Sequence, residues 1–311
     1  MKEKFKLTAL ERSWILYDIA NSAFVLLAAT LIPIFFNAVA GSAGLSETQY
    51  LSYWGYAGSI STLLVAFIGP VCGALTDQKG FKKPIFLITI LLGAVGCAAL
   101  GFAWSWLAFL AIFVIAKVGF SSSIVFYDSM LPEIPTEERM DKISSMGYAY
   151  GYIGSVIPFV VCLVLVLFYD SFGLTQGTAM AIAFALVAVW WILCTLPLVK
   201  RYQQTAFRDA SGAPLKDTFR QLANTLRYAR KEKHIFLYLL AFFFFIDGVY
   251  TIIDMATAYG SALGLDSTGL LLALLLTQIV AFPCAIIFGR LSAKHDAGKL
   301  IKICIICYTF I

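Results

Sequence analysis

The sequence predicts an all-α integral membrane protein that crosses the bilayer many times. Three observations lead there. Of the 311 residues, 60% are apolar and only 13% charged, and mean hydropathy is +0.85; a soluble domain is about half apolar and a quarter charged. The apolar residues are gathered into continuous runs long enough to span, which takes about 20 residues each. The basic residues fall almost entirely into alternate gaps between those runs.

The runs cover 14–39, 53–75, 85–103, 106–131, 144–169, 177–199, 235–262 and 268–290, and a ninth starts near 300. They are rich in Ala, Leu and Phe and too long for strands. The segment before the first run is basic, but no small-residue cleavage site follows it, so the first run reads as a retained span rather than a signal peptide. Lys2, Lys4, Lys6 and Arg12 precede span one. Lys79, Lys82 and Lys83 lie between spans two and three, and Arg139 and Lys142 between four and five. Nine cations lie from Lys200 to Lys233, and Arg290, Lys294, Lys299 and Lys302 follow span eight. The other gaps hold none. The positive-inside rule therefore places the N-terminus in the cytoplasm, and the unbroken alternation checks the number of spans.

Residues 200–234 are the one long polar connection. They carry the breaker cluster Ser211-Gly212-Ala213-Pro214 and then Leu215–Lys233, with the pattern of an amphipathic helix on the membrane face. A charged tether and a regulatory element both fit. The expected organisation is a six-helix bundle over 1–199, a basic linker over 200–234, and the start of a second bundle over 235–311. A weak internal repeat agrees. Gly73-Ala74-Leu75-Thr76 closes span two and Gly289-Arg290-Leu291-Ser292 closes span eight. Asp18 and Asp247 occupy similar places in spans one and seven.

The seven cysteines all lie in apolar runs, so neither a disulfide framework nor a metal site is expected, the Cys304-x-x-Cys307 spacing included. There is no phosphate-binding glycine loop, no metal cluster and no nucleophile–base pair. No cofactor, nucleic acid or obligate protein partner is expected, and neither an ATP-driven pump nor a membrane enzyme finds support.

Ionisable residues inside spans normally face a cavity or each other. Lys117 sits near the middle of span four, with Asp128 three turns on. Asp247 and Asp254 lie two turns apart on nearly one face of span seven, with Tyr250 and Thr251 between. Asp18 and Asn21 share a face of span one. Asp247 or Asp254 could take up a proton, and Lys117 could hold a substrate carboxylate; a purely structural Lys117–Asp247 pair is the alternative. In span five, Gly147, Gly151, Gly154 and Ser155 form a small-residue face suited to helix packing, with Tyr148 and Tyr152 one turn apart. Beyond Pro132 and Pro135, Thr136, Glu137 and Glu138 suit the start of a short turn helix.

The turn after span two reads Gly73-Ala74-Leu75-Thr76-Asp77-Gln78-Lys79-Gly80-Phe81-Lys82-Lys83. It resembles the signature loop of the major facilitator superfamily, G-x-L-x-D-x-x-G-x-K-K, with Phe81 where a basic residue is usual; the second copy has Ala293 in place of the aspartate. Gly73 suits close helix approach, Asp77 an amide or cation partner, Gly80 a positive φ, and Lys82 and Lys83 anchoring. Trp14-Ile15-Leu16-Tyr17-Asp18-Ile19-Ala20-Asn21-Ser22-Ala23-Phe24, Leu131-Pro132-Glu133 and Gly147–Ser155 are similar to the vacuole-effluxer-like family of major facilitators. The resemblance implies the major facilitator fold, with spans one, four, seven and ten lining a cavity, and assigns the signature loop to gating. It implies a secondary transporter in a bacterial plasma membrane, moving a small polar solute, with amino acids and proton coupling as the specific forms. A non-transporting scaffold or receptor on the same fold, or an inactive truncated transporter, is the competing reading. The ninth run stops after about 12 residues, so the chain reads as truncated at its C-terminus, with an incomplete second bundle.

Overall fold

A computed structural model of the chain describes residues 5–207, 214–292 and 294–309. The breaker residues Ser211, Gly212 and Ala213, together with Lys2, Lys4 and Ala293, lie outside them. The described residues are helical with no β-strand, and eight helical segments are long and apolar enough to cross a membrane. Each expected span is present. The protein is an all-α membrane protein.

The first span is two helices, α1 (Ala9–Ala29) and α2 (Leu31–Ser42), joined at Thr30. Pro33 supplies the reason: it has no N–H for the Ala29 carbonyl four residues back. Then come α3 (Glu47–Thr76), α4 (Lys82–Ala99), α5 (Trp106–Met130), α6 (Met140–Leu167) and α7 (Gln176–Arg201). The polar connection contains α8 (Pro214–Lys231), the expected amphipathic helix. It is followed by α9 (Lys233–Ala262), α10 (Ser267–Ser292) and α11 (Ala297–Thr309). Beyond α5, short 3-10 turns cover Leu131–Glu133 and Glu137–Arg139. The second begins after Thr136 as expected, but the Thr136 side chain makes no capping bond.

α1 packs along α6 and α7, α4 packs along α5 and α7, and α3 packs on α5. α10 lies on α6, α9 touches α1, α2 and α3, and α8 bridges α3 and α9. Lipid supplies no hydrophobic force between spans, so close backbone approach has to hold them. The glycine face of α6 does this against α1. A Cβ on Gly147 would lie 2.7 Å from the Trp14 ring, one on Gly151 2.7 Å from Ser22 Oγ, and one on Gly154 2.6 Å from Ile19. α4 and α5 cross in the same way, Gly119 resting on the Gly93 backbone. Tyr17 Oη and Ser123 Oγ hydrogen-bond at 2.7 Å, and Trp14 stacks on Tyr127 at 4.3 Å, tying α1 to α5.

One turn occurs three times. After α2, Leu45 N donates to Ala40 O and Gly44 N to Gly41 O. After the 3-10 turn Tyr169–Phe172, Leu174 N donates to Tyr169 O and Gly173 N to Asp170 O. After α9, Leu265 N donates to Gly260 O and Gly264 N to Ser261 O. Gly44, Gly173 and Gly264 all have positive φ, 84°, 67° and 76°, as this C-terminal motif requires. Spans one, five and seven thus close alike. At the start of α1, Glu11 accepts from Thr8 N and receives Arg139 through Nε and Nη2 at 2.8 and 2.7 Å.

Enlarging the α6 glycine face is expected to destabilise the protein. Gly154→Leu should lose about 1–3 kcal/mol by overpacking, read as a lower melting temperature in detergent. Gly58→Ala, where a Cβ meets nothing within 4 Å, should leave it unchanged or raised. Equal melting of the two variants would mean the α1–α6 seam does not limit stability.

Candidate functional site

Near the middle of α5, the Lys117 ammonium reaches α9. Its Nζ lies 2.5 Å from Asp254 Oδ2; the lysine side chain is 15% exposed and the aspartate 41%. The pairing weighed from the sequence, Lys117 with Asp247, is not the one formed. Asp247 is exposed, two turns nearer the basic loops, about 10 Å along the helix axis from Asp254. The choice of turn is set by how α9 is seated. Trp54 Nε1 of α3 donates to Asp254 O at 3.1 Å, Asn37 Nδ2 of α2 donates to Ala258 O at 3.3 Å, and Thr257 Oγ1 donates to Ala29 O at 2.5 Å. The last bond satisfies the carbonyl that Pro33 leaves without a helical donor. Trp54 itself stacks on Phe113 at 4.4 Å and Phe36 at 5.7 Å. Four polar ties therefore bind Asp254–Ala258 to helices of the first six spans, and all lie from mid-span towards the end opposite the basic loops.

A second group lies nearer the basic loops. Asp18 is 8% exposed, and its Oδ1 accepts from Asn21 Nδ2 at 3.3 Å; Asn21 also donates to Tyr17 O. Asp18, Asp128, Tyr148, Tyr152 and Tyr250 interact electrostatically across α1, α5, α6 and α9. Asp128 and Tyr250 present exposed side chains. The predicted residues thus separate into an ion pair with Lys117 and Asp254, and a carboxylate–phenol group around Asp18. No set of His, Cys, Asp or Glu suited to a metal occurs among the described residues, and all seven cysteines are free.

The signature loop departs from expectation at two residues. A Cβ at Gly73 meets nothing within 4 Å, so no helix exploits it among the described residues. Asp77 closes α3 through its N–H, which donates to Gly73 O, but its exposed side chain caps no helix N-terminus. The other features match. Gly80 has φ +85°, Lys82 Nζ pairs with Glu133 Oε1 at 2.5 Å, and Lys83 Nζ donates to Tyr202 O at 3.5 Å.

Sequence reasoning missed Trp54, Asn37 and Thr257, and named Glu133 only as part of a family motif, without its partner Lys82. Asn37 carried a signal, as an amide alone in an apolar run. Trp54 looked like any interfacial aromatic.

The family model described as vacuole effluxer Atg22 like matches residues 9–311. The chain belongs to that family. An MFS-type transporter of Bacillus subtilis, YxiO, is 36% identical over 311 residues, covering 98% of this chain and 73% of that protein. Autophagy-related protein 22 of Coccidioides immitis is 23% identical, covering 72% of this chain and 47% of the fungal one. Autophagy-related protein 22-2 of Aspergillus clavatus is 26% identical over 192 residues, 55% of this chain and 30% of its own. The chain thus spans less than half the length of these fungal relatives. Within the Atg22-like family it is a multi-pass membrane protein of the major facilitator transporter type.

The two partners of the ion pair should respond unequally to neutralisation. Asp254→Asn strands the less exposed Lys117 charge, whereas Lys117→Met leaves an aspartate with open access to its surroundings. Asp254→Asn should therefore lower the melting temperature more. A double-mutant cycle should give a coupling of at least about 1 kcal/mol; a value within about 0.3 kcal/mol of zero would remove the pair as a tie between α5 and α9.

Proposed function

We propose that the chain is a secondary transporter working by alternating access, in which the Lys117–Asp254 pair forms and breaks as the two groups of helices move. The pair is the observation that carries the reading. It joins a span of the first group to the first span after the linker, on two of the spans that the family resemblance implies line the cavity. A charged pair within the membrane has no packing advantage over apolar residues, and intramembrane ions usually mark a pathway. The domain scheme follows: a bundle over 1–199, a linker over 200–234 and a second bundle beginning at 235. With alternate gaps free of basic residues, the N-terminus faces the cytoplasm, and the Bacillus relative supports a bacterial plasma membrane.

The proposed cargo is a small polar solute, with amino acids first to be tested on the strength of the family resemblance. Lys117, released from Asp254, is the group for a substrate carboxylate. Asp247 is the proposed proton carrier, an exposed carboxylate one turn from Tyr250 on the same helix. Asp18, Asn21, Asp128 and Tyr250 complete the proposed pathway.

Counterflow of radiolabelled amino acids in proteoliposomes tests this under an imposed pH gradient. Asp247→Asn should retain exchange and lose the response to the gradient. Lys117→Ala should lose exchange by at least about tenfold, as expected for a removed charged contact. Unchanged uptake with unchanged pH dependence in Asp247→Asn would sink the coupling role. Absence of counterflow for every amino acid in the unaltered protein would count against this cargo.

A further inference from the structure

We infer that Tyr202–Phe207, the residues directly after α7, form a strap that fixes the signature loop, and that Glu133 is the positioning residue binding strap and loop together. Glu133 stands at the end of the 3-10 turn after α5, its side chain 5% exposed. One oxygen, Oε1, takes the Lys82 ammonium of the loop at 2.5 Å. The other, Oε2, accepts from Thr205 N at 2.7 Å, Thr205 Oγ1 at 3.2 Å and Ala206 N at 3.2 Å. A buried carboxylate needs this many donors, and here they come from two segments about 120 residues apart in sequence.

The strap also grips the loop directly. Gln204 Nε2 donates to Thr76 O at 2.8 Å, and Gly80 N donates to Gln204 Oε1 at 3.0 Å. One amide thus serves a carbonyl left without a partner at the end of α3 and the N–H of the positive-φ glycine. Lys83 donates to Tyr202 O, and Lys79 stands 5.2 Å from the centroid of the Phe207 ring. Tyr202 is 1% exposed and anchors the near end. The position of the loop therefore depends on the linker. The same linker contains α8, which packs on both α3 and α9, and α3 runs directly into the loop, so a shift of the second group of helices reaches the loop through these contacts. This holds whatever solute is carried.

Hydrogen exchange of the full chain in lipid nanodiscs tests the inference, read on peptides covering 76–84 and 202–207. Glu133→Ala removes both functions of the carboxylate and should accelerate exchange in both peptides about tenfold or more, the scale of hydrogen bonds to a charged group. Glu133→Gln keeps an acceptor for the strap amides and should restore most protection of 202–207. Gln204→Ala should accelerate the Gly80 amide with residues 150–165 of α6 unchanged, and it carries the test alone if Glu133→Ala does not fold. Wild-type exchange over 76–84 in folded Glu133→Ala, or at Gly80 in Gln204→Ala, would overturn the inference.

Discussion

Hydrocarbon offers no partner to a polar group, so each one inside the spans must be answered by the protein itself. Most of the backbone meets this demand by being helical. Pro33 creates an exception at the Ala29 carbonyl, and Thr257 of α9 answers it. That bond, with those from Asn37 and Trp54, sets the depth at which α9 lies against the first six spans. The depth in turn decides which carboxylate meets Lys117. The proposed site is thus a consequence of backbone accounting as much as of charge.

The two ends of the molecule are organised differently. Towards the end without basic loops, the ties run between α9 and helices α1, α2, α3 and α5. At the basic end, ion pairs link loops and helix termini: Arg139 with Glu11 and Lys82 with Glu133. Where water is close, an ammonium or guanidinium can be held by one carboxylate plus backbone groups. Deeper, Lys117 has one carboxylate and an aromatic ring 6.0 Å away.

Much of the fold was legible because the membrane imposes a length on every span and a side on every basic loop. Gly80 was legible because a tight turn with positive φ leaves few alternatives. The α6 glycines were legible because their spacing draws one face. The Lys117 partner was not. Asp247 and Asp254 share a face of one helix, and only the axial offset between α5 and α9 separates them. That offset comes from bonds 200 or more residues apart in the chain, such as Trp54 to Asp254. Glu133 was hidden for a similar reason: a carboxylate beside a proline at a helix end reads as a turn until its distant donors are in place. Gly73 and Asp77 show the converse, a motif whose spacing is complete while two of its residues lack the contacts their types suggested.

The break at Thr30 divides the labour of the first span. α1 is seated on α6 and α7, while α2 lies against α3 and α9. Because Pro33 contributes no amide, bending at this joint ruptures no hydrogen bond from Pro33 to Ala29. The span can flex at this joint, and α9 is bonded on both sides of it, by Thr257 to Ala29 O of α1 and by Asn37 of α2 to Ala258 O. In the proposed alternating-access cycle, movement of the helices would draw on flexion here, and stiffening that single joint would slow the cycle without touching a charged residue.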